Sequence, residues 1–320
     1  MRAKYIARKI QIDYEMKILS LAEIKNLINL PKAIAMQEEG FKLYSEGKVN
    51  VPPVGYLEQN NPPGSYHIKY GAIKDDPLWV VKIIGGPFTM PLNGMMIAIS
   101  TQTGEPIALL LDNGYLTQLR TAIAGLICAK YLAPKMVSAI GIIGTGEQAR
   151  FQVNALKHFT DCRDVYVWGR DIDKSIQYKN NMEVEGFKVR TALTPSEIGQ
   201  NCNLIVTTTA SRTPLLMMDH IKPGTHVTAI GTDAPGKQEL QAEIFKKAAV
   251  VVVDSKSQCI DHGEVYEAYK NAFITDEKLF ELGEIIANPT LGRTADDQIT
   301  ISDLTGIAIQ DIQITKSIIY

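Results

Sequence analysis

The stretch Gly144-Thr-Gly146-Glu-Gln-Ala149 follows the apolar run AIGII directly and opens a segment of helical spacing. That context is the one a dinucleotide-binding turn requires. Gly144 permits a tight turn, Gly146 lets a pyrophosphate approach the backbone, and the small Ala149 lets helix and strand pack closely. The free N–H groups of the helix's first turn then face the phosphates. An ordinary glycine-rich turn is the plainer reading, and the alternation of elements around it argues against it. About 20 residues further on, an NAD site offers an acidic residue to the ribose hydroxyls. Here the chain reads Trp168-Gly169-Arg170-Asp171. Arg170 suits a 2′-phosphate or stacks on adenine, and otherwise is a solvated loop arginine. Because Asp171 follows, the signal is divided; it tilts toward NADP(H), with NAD(H) as the alternative.

Hydride exchange with a nicotinamide also needs a charged substrate clamp and a poised acid/base group. Asp233 stands in THVTAIGTDAPGKQEL, just past a buried strand, where ligands gather at the carboxyl edge of a parallel sheet. A carboxylate partly desolvated in that crevice is expected to have a raised pKa. Its alternative role is to cap a helix through KQEL. Lys82 is a lone cation in LWVVKIIGG, costly unless it meets an anion such as a substrate carboxylate or snorkels out at a strand edge. His67 and Lys69 alternate onto one face of SYHIKYG, a pocket wall or a solvated sheet face. Arg120, opening RTAIAGLICAKYLA, suits a bidentate carboxylate clamp or an interdomain salt bridge. The pieces His262-Gly-Glu264 and Asp303-Leu-Thr-Gly306 are polar breaks that either close over a nicotinamide or form turns.

These residues need two kinds of scaffold. Residues 1–118 read as a sheet with a flanking helix: LPKAIAMQEEGFKLYSEG is helical, and short β-rich runs follow, with MMIAISTQTGEPIALLL an antiparallel hairpin. From 119 to 299 apolar strands alternate with helices, which argues for a doubly wound parallel sheet. The segment QITISDLTGIAIQDIQITKSII starts strand-like and becomes an amphipathic helix. It is expected to return to the first domain, so that domain comprises residues 1–118 and 300–320. The fold class is therefore α/β: a Rossmann-type sheet plus a smaller α+β substrate and dimerisation domain with an antiparallel sheet. Open apolar strands in that domain suit a homodimer.

Composition narrows the partners. The 320 residues exceed one core at roughly 150 residues per domain. Lys plus Arg number 33 against 35 Asp plus Glu, a net charge of −2, which leaves no global field for nucleic acid or an anionic membrane. Four scattered cysteines lack metal-ligand or disulfide spacing, so no metal is expected. Charges interrupt the N-terminal MRAKYIARKIQIDYEMKIL, and no apolar run reaches the ~20 residues of a membrane span. A cytoplasmic protein with a small-molecule substrate is expected.

Taken together, VPPVGYL, HIKYG, VVKI, LTQLRTAIAG, IIGTGEQARFQ, VTTTAS, GTHVTAIGTDAPGKQEL, HGE and ITISDLTGIAIQD occur in an order that resembles the ornithine cyclodeaminase and mu-crystallin family, in its HIK-x-G branch. The resemblance implies a substrate-binding and dimerisation domain, a Rossmann domain, and catalysis in the cleft between them. By position it makes Asp233 the acid/base, Lys82 the holder of the substrate carboxylate, and Arg120 a residue at the boundary of substrate and nicotinamide. Gly144, Gly146, Glu147 and Gln148 match the pyrophosphate loop; Thr208, Thr209, Ile230, Gly231, Lys237 and Asp303 match segments lining the cofactor. Two positions depart from ornithine cyclodeaminases: Val54 stands where many members carry an anion-binding arginine, with Lys69 as a substitute, and Gly169-Arg170 stands where tight NAD binders carry aspartate. The expected function is an NAD(P)-dependent enzyme acting on an α-amino acid or its imine, by cyclodeamination or as a dehydrogenase or ketimine reductase. The alternative of another class is a mu-crystallin-like NADPH-binding protein.

Overall fold

A computed structural model describes residues 16–320. Most of the charge-interrupted N-terminal segment MRAKYIARKIQIDYEMKIL lies outside the described residues. One sheet contains β1 (Lys17–Ser20), β2 (Val49–Asn50), β3 (Gly55–Asn60), β4 (Pro63–Ile73), β5 (Leu78–Pro87), β6 (Asn93–Ser100) and β7 (Pro106–Leu111), with helices α1 (Leu21–Leu27) and α2 (Leu30–Ser45). Its order is β1-β7-β6-β5-β4-β2, with β3 also on β4. Only β1–β7 is parallel; the other pairs are antiparallel, including the β6–β7 hairpin built on TGEP. Asn29 caps α2 by accepting from Lys32 N (3.1 Å), Pro31 sits in its first turn, and Gly47 follows at φ 68°.

The register of β4 on β5 sets Lys69 directly opposite Lys82. Cross-strand partners share a face, so both lysines point inward. The outer face carries the row Tyr70, Val81, Ile97, Leu109 and Ile18 across five strands.

Helix α3 (Tyr115–Leu132) leads to the second sheet. There the chain alternates β8 (Ile140–Ile143), α4 (Glu147–Leu156), β9 (Asp164–Trp168), α5 (Ile172–Val184), β10 (Lys188–Thr191), α6 (Pro195–Asn201), β11 (Leu204–Thr207) and β12 (His226–Ala229). It continues through α7 (Ile244–Lys247), β13 (Ala248–Val253), α8 (Lys256–His262), α9 (Val265–Lys270), β14 (Leu279–Glu281), α10 (Leu282–Ala287), β15 (Ile299–Asp303) and α11 (Ala308–Ile319). The sheet order is β10-β9-β8-β11-β12-β15-β13-β14, parallel throughout. From β8 the chain winds outward in one direction to β10 and then in the other to β12. The crevice between β8 and β11 is thus the topological switch point.

One expectation is corrected here. Residues 299–303 do not return to the first sheet; β15 is inserted between β12 and β13. Its alternating Ile, Thr and Ser imitated a half-solvated strand, yet all five residues are buried. Thr300 is satisfied sideways: His226 on β12 bonds its Oγ1 at 2.9 Å, and the other ring nitrogen bonds Thr228 Oγ1 of β12 at 2.9 Å. Helix α11 crosses back, packing on β4, β5 and β6 and against α2 and α3, and α10 packs against α2 as well.

Candidate active site

At the switch point, Gly144 turns the chain at φ 123°, and a Cβ there would lie 2.4 Å from Thr208 Oγ1. A Cβ on Gly146 would meet nothing within 4 Å, so open space lies above the turn. Gly146 also begins α4 without any side-chain cap, leaving first-turn N–H groups to face that space. Ala149 is fully buried, as close packing demands. The pocket is walled by the turn itself, by Trp168, Arg170 and Lys174, and by Thr208 and Thr209 from the end of β11. These are the features a dinucleotide needs, and the residues fit one. Asp171 is diverted: its Oδ1 caps α5, accepting from Asp173 N (3.0 Å) and Lys174 N (3.3 Å). Glu147 is exposed at the helix start. Gln148 turns its side chain to α3, donating to Gln118 Oε1 (2.8 Å).

The inner face of the first sheet brings the predicted cations together. Lys82 is only 1% exposed, and its ammonium lies 3.1 Å from Asp311 of α11. Arg120 Nε approaches the other oxygen of the same carboxylate at 3.3 Å, while its Nη1 donates to Gln310 Oε1 (2.8 Å). Lys69 donates to the carbonyls of Gly306 (2.5 Å) and Thr305 (3.3 Å). Three cations therefore surround one internal carboxylate. Burial drives the Lys82 pKa down to about 7 against the opposing pull of Asp311. Lys69 is lowered by burial and by the Arg120 charge, and His67, edge-on to Tyr56, is lowered by burial. Snorkelling of Lys82 at a strand edge is excluded by this arrangement.

Asp233 reaches over this cluster from the opposite sheet, close enough for its charge to act on His67 and Lys69. The segment KQEL is not helical, so Asp233 caps nothing. About half of its side chain remains open to water although the surroundings are crowded. Its expected upward pKa shift is not found: desolvation raises it, but Lys237 Nζ at 2.5 Å, with Lys69 and His67, brings the carboxyl below its ordinary value. Lys237 is thus engaged with Asp233. Ile230 and Gly231 follow directly after β12 beside Thr209, whose carbonyl would lie 1.9 Å from a Cβ on Gly231. Asp303 is buried at the end of β15 rather than on the cleft wall, accepting from Val265 N (3.1 Å).

Four functional positions were not anticipated. Asp311 and Gln310 organise the cations, and Asp254 fixes the Thr305–Gly306 turn by accepting from Gly306 N (2.6 Å). Glu239 ties the ends of β11 and β12 together, accepting from Thr209 N (2.5 Å) and Gly231 N (2.9 Å). Asp311 carried a usable signal, since a lone carboxylate in an apolar helix needs a cation just as Lys82 needs an anion.

A parallel sheet with a glycine turn at its switch point, opposed by a cation-lined second sheet, places the molecule among dinucleotide-binding α/β proteins. Within them the chain belongs to the ornithine cyclodeaminase/mu-crystallin family, whose sequence model matches residues 14–320. It is 38% identical over 309 residues to the alanine dehydrogenase of Archaeoglobus fulgidus, covering 94% of each chain. Among solved structures, an archaeal alanine dehydrogenase dimer with bound NAD superposes with a TM-score of 0.85 at 36% identity, covering 95% of this chain and 94% of that one. The Thermococcus litoralis Δ1-pyrroline-2-carboxylate reductase, in complex with NADH and L-proline, gives 0.87 at 26% identity, covering 94% and 96%. No helix among the described residues is long and apolar enough to cross a membrane. No group of three or more acidic, histidine or cysteine side chains is arranged to hold a metal ion there either.

Proposed function

We propose that this chain is a nicotinamide-dependent oxidoreductase acting on the carbon–nitrogen bond of a small α-amino acid or its α-imino counterpart. The observation that carries the reading is the excess of cation over anion at Lys69, Lys82, Arg120 and Asp311, facing a dinucleotide cradle. Such a surplus suits a substrate carboxylate. It also disfavours a substrate with a distal ammonium, so dehydrogenation or imine reduction is favoured over cyclodeamination. The similarity to an alanine dehydrogenase and to a cyclic imine reductase supports the same choice.

The nicotinamide, when bound, supplies or accepts a hydride at the substrate α-carbon. Lys69, Lys82 and Arg120 hold the carboxylate and so orient that carbon. Asp233, kept ionised by Lys237, takes a proton from the α-nitrogen as an amine becomes an imine and returns it in the reverse direction. Gly144, Gly146 and the start of α4 hold the pyrophosphate, with Glu147 at the rim and Thr208, Thr209, Ile230 and Gly231 along the cleft. The pocket beside Arg170 and Lys174 favours NADP(H), because the carboxylate that would accept ribose hydroxyls is committed to capping α5. The outer row from Tyr70 to Ile18 pairs two copies into a homodimer, in keeping with the dimeric archaeal relative. The four cysteines are free thiols, which fits the cytoplasm.

The test is a panel of L-alanine, L-proline and L-ornithine with each oxidised cofactor, and of pyruvate plus ammonium and Δ1-pyrroline-2-carboxylate with each reduced one. Nicotinamide absorbance and ammonia are both followed. Asp233→Asn is expected to abolish turnover with cofactor affinity within a few-fold of native. Silence across the whole panel would overturn the enzyme reading.

A further inference from the structure

The HGE piece has a definite place in the fold. Glu264, between α8 and α9, is buried, and its carboxylate accepts from Glu239 N (2.6 Å) and Leu240 N (2.9 Å) and bonds the Thr232 hydroxyl. Glu239 is buried as well, and besides Thr209 N and Gly231 N it accepts from the Thr207 hydroxyl (2.6 Å). Two carboxylates thus gather six donors from three segments, two of which follow strand ends. Four of these are backbone N–H groups, which no side-chain exchange can replace. The partners are the segment 207–209, whose threonines wall the dinucleotide pocket, and both ends of the loop 231–240, which carries Asp233 and Lys237. Below them, Asp303 accepts from Val265 N, and a Cβ on Gly263 would fall 2.3 Å from Asp303 Oδ2, so the turn bearing Glu264 is seated on β15.

We propose that Glu239 and Glu264 are positioning residues that clamp the Asp233 loop to the dinucleotide-binding strand ends, fixing the distance between Asp233 and the nicotinamide site. This rests on the reading of Asp233 as the proton-handling group. A buried network of this density is retained at a cost in like charge: burial and the neighbouring Glu239 push the Glu264 carboxyl up to about 8. A stable core did not require it, since apolar side chains would fill the volume without that penalty. Neither glutamate opens onto solvent or pocket, so they act through Asp233 and not on substrate.

Glu264→Gln and Glu239→Gln each place an amide N–H₂ where a backbone N–H now donates, whichever way the amide is turned. Amide hydrogen exchange and steady-state kinetics on the full-length chain test the proposal. We expect exchange across residues 230–241 to accelerate at least tenfold in both variants, with β8, β9 and β12 unchanged. With whichever substrate of the panel turns over, kcat is expected to fall at least tenfold while KM for the cofactor stays within threefold. Thr232→Val, which removes one hydroxyl partner, keeps the test available if a glutamine variant does not fold, and is expected to accelerate exchange in the same segment to a smaller degree. Unchanged protection of 230–241 in the folded variants overturns the clamp even if the protein proves to have no activity. Faster exchange with undiminished kcat overturns its link to Asp233. Silence of the native chain over the panel, with exchange altered as expected, removes the enzyme reading and leaves the clamp of the loop standing.

Discussion

Arg170→Asp separates the two nicotinamide cofactors by a margin the structure sets. Arg170 is exposed on the rim of the pocket, so its interactions are screened by water and the solvent dielectric applies. One charge pair at ~5 Å is then worth about 0.8 kcal/mol. A 2′-phosphate carries about −1.5 to −2 charges at neutral pH, so losing the guanidinium costs about 1.2 to 1.7 kcal/mol and the new carboxylate's repulsion about as much again. The total of about 2.5 to 3.5 kcal/mol corresponds to a loss on the order of 100-fold in NADPH affinity. Lys174 remains and sets a floor. NADH lacks the phosphate and is expected to change less than threefold. The assay is titration of both reduced cofactors by fluorescence at low salt, repeated at high salt, where screening should shrink the NADPH effect. Equal losses for the two cofactors, or a salt-independent loss, would refute the assignment of a 2′-phosphate contact.

Asp311→Asn removes the carboxylate that opposes desolvation at Lys82, so the ammonium, already down at about 7, titrates lower still. Only the charged form holds a substrate carboxylate, and it is lost as pH rises. The rise of substrate KM with pH should therefore begin at least one pH unit lower than in the native chain; a pH profile that does not move counts against the role of Asp311. Ile68→Glu places a charge on the apolar outer face, where Ile68 is 39% exposed. Light scattering is expected to report a monomer for this variant and a dimer for the native chain, and a variant that remains dimeric excludes that face.

What the sequence made legible were features whose physics is local. Gly144, Gly146 and Ala149 announce themselves by the strand before and the helix after them, and the structure places them at the switch point. Lys82 and Arg120 stood out as charges in apolar surroundings, and both are buried. What was not legible depends on which partners the assembled fold brings together. The strand Ile299–Asp303 could not be assigned to its sheet, because Thr300 finds its partner in His226 and not in water. The pKa direction of Asp233 turned on Lys237, four residues further along the same non-helical loop, whose ammonium folds back onto the carboxylate. Asp171 left the cofactor signal divided, because a cap of α5 and a ribose ligand share the same residue type and place. Glu239 and Glu264 were ordinary acids in polar stretches; burial gives them their importance, and burial is a property of the assembled fold.

Helix α11 lies on the first sheet although the chain reaches it only after completing the parallel one. Its Asp311 is the counter-ion for two cations that enter from β5 and α3, so charge neutrality in the cleft is shared between early and late segments of the chain. For gene recombination this means that the dinucleotide-binding unit is an insert with two joints, one near Asp112–Tyr115 and one near Leu304–Ile307. A single crossover between diverged relatives joins an unfamiliar α11 to a native β5 and α3, and any mismatch at Gln310 or Asp311 leaves a buried cation unpaired, at a cost of about 3 to 5 kcal/mol. A double crossover that exchanges the insert alone keeps Lys82, Gln310 and Asp311 together, and requires matches at Arg120, at Lys130 with Glu38, at Ser255 with Tyr44 and where α10 packs on α2. Cofactor preference and substrate charge are therefore inherited as separable traits only when both joints are respected.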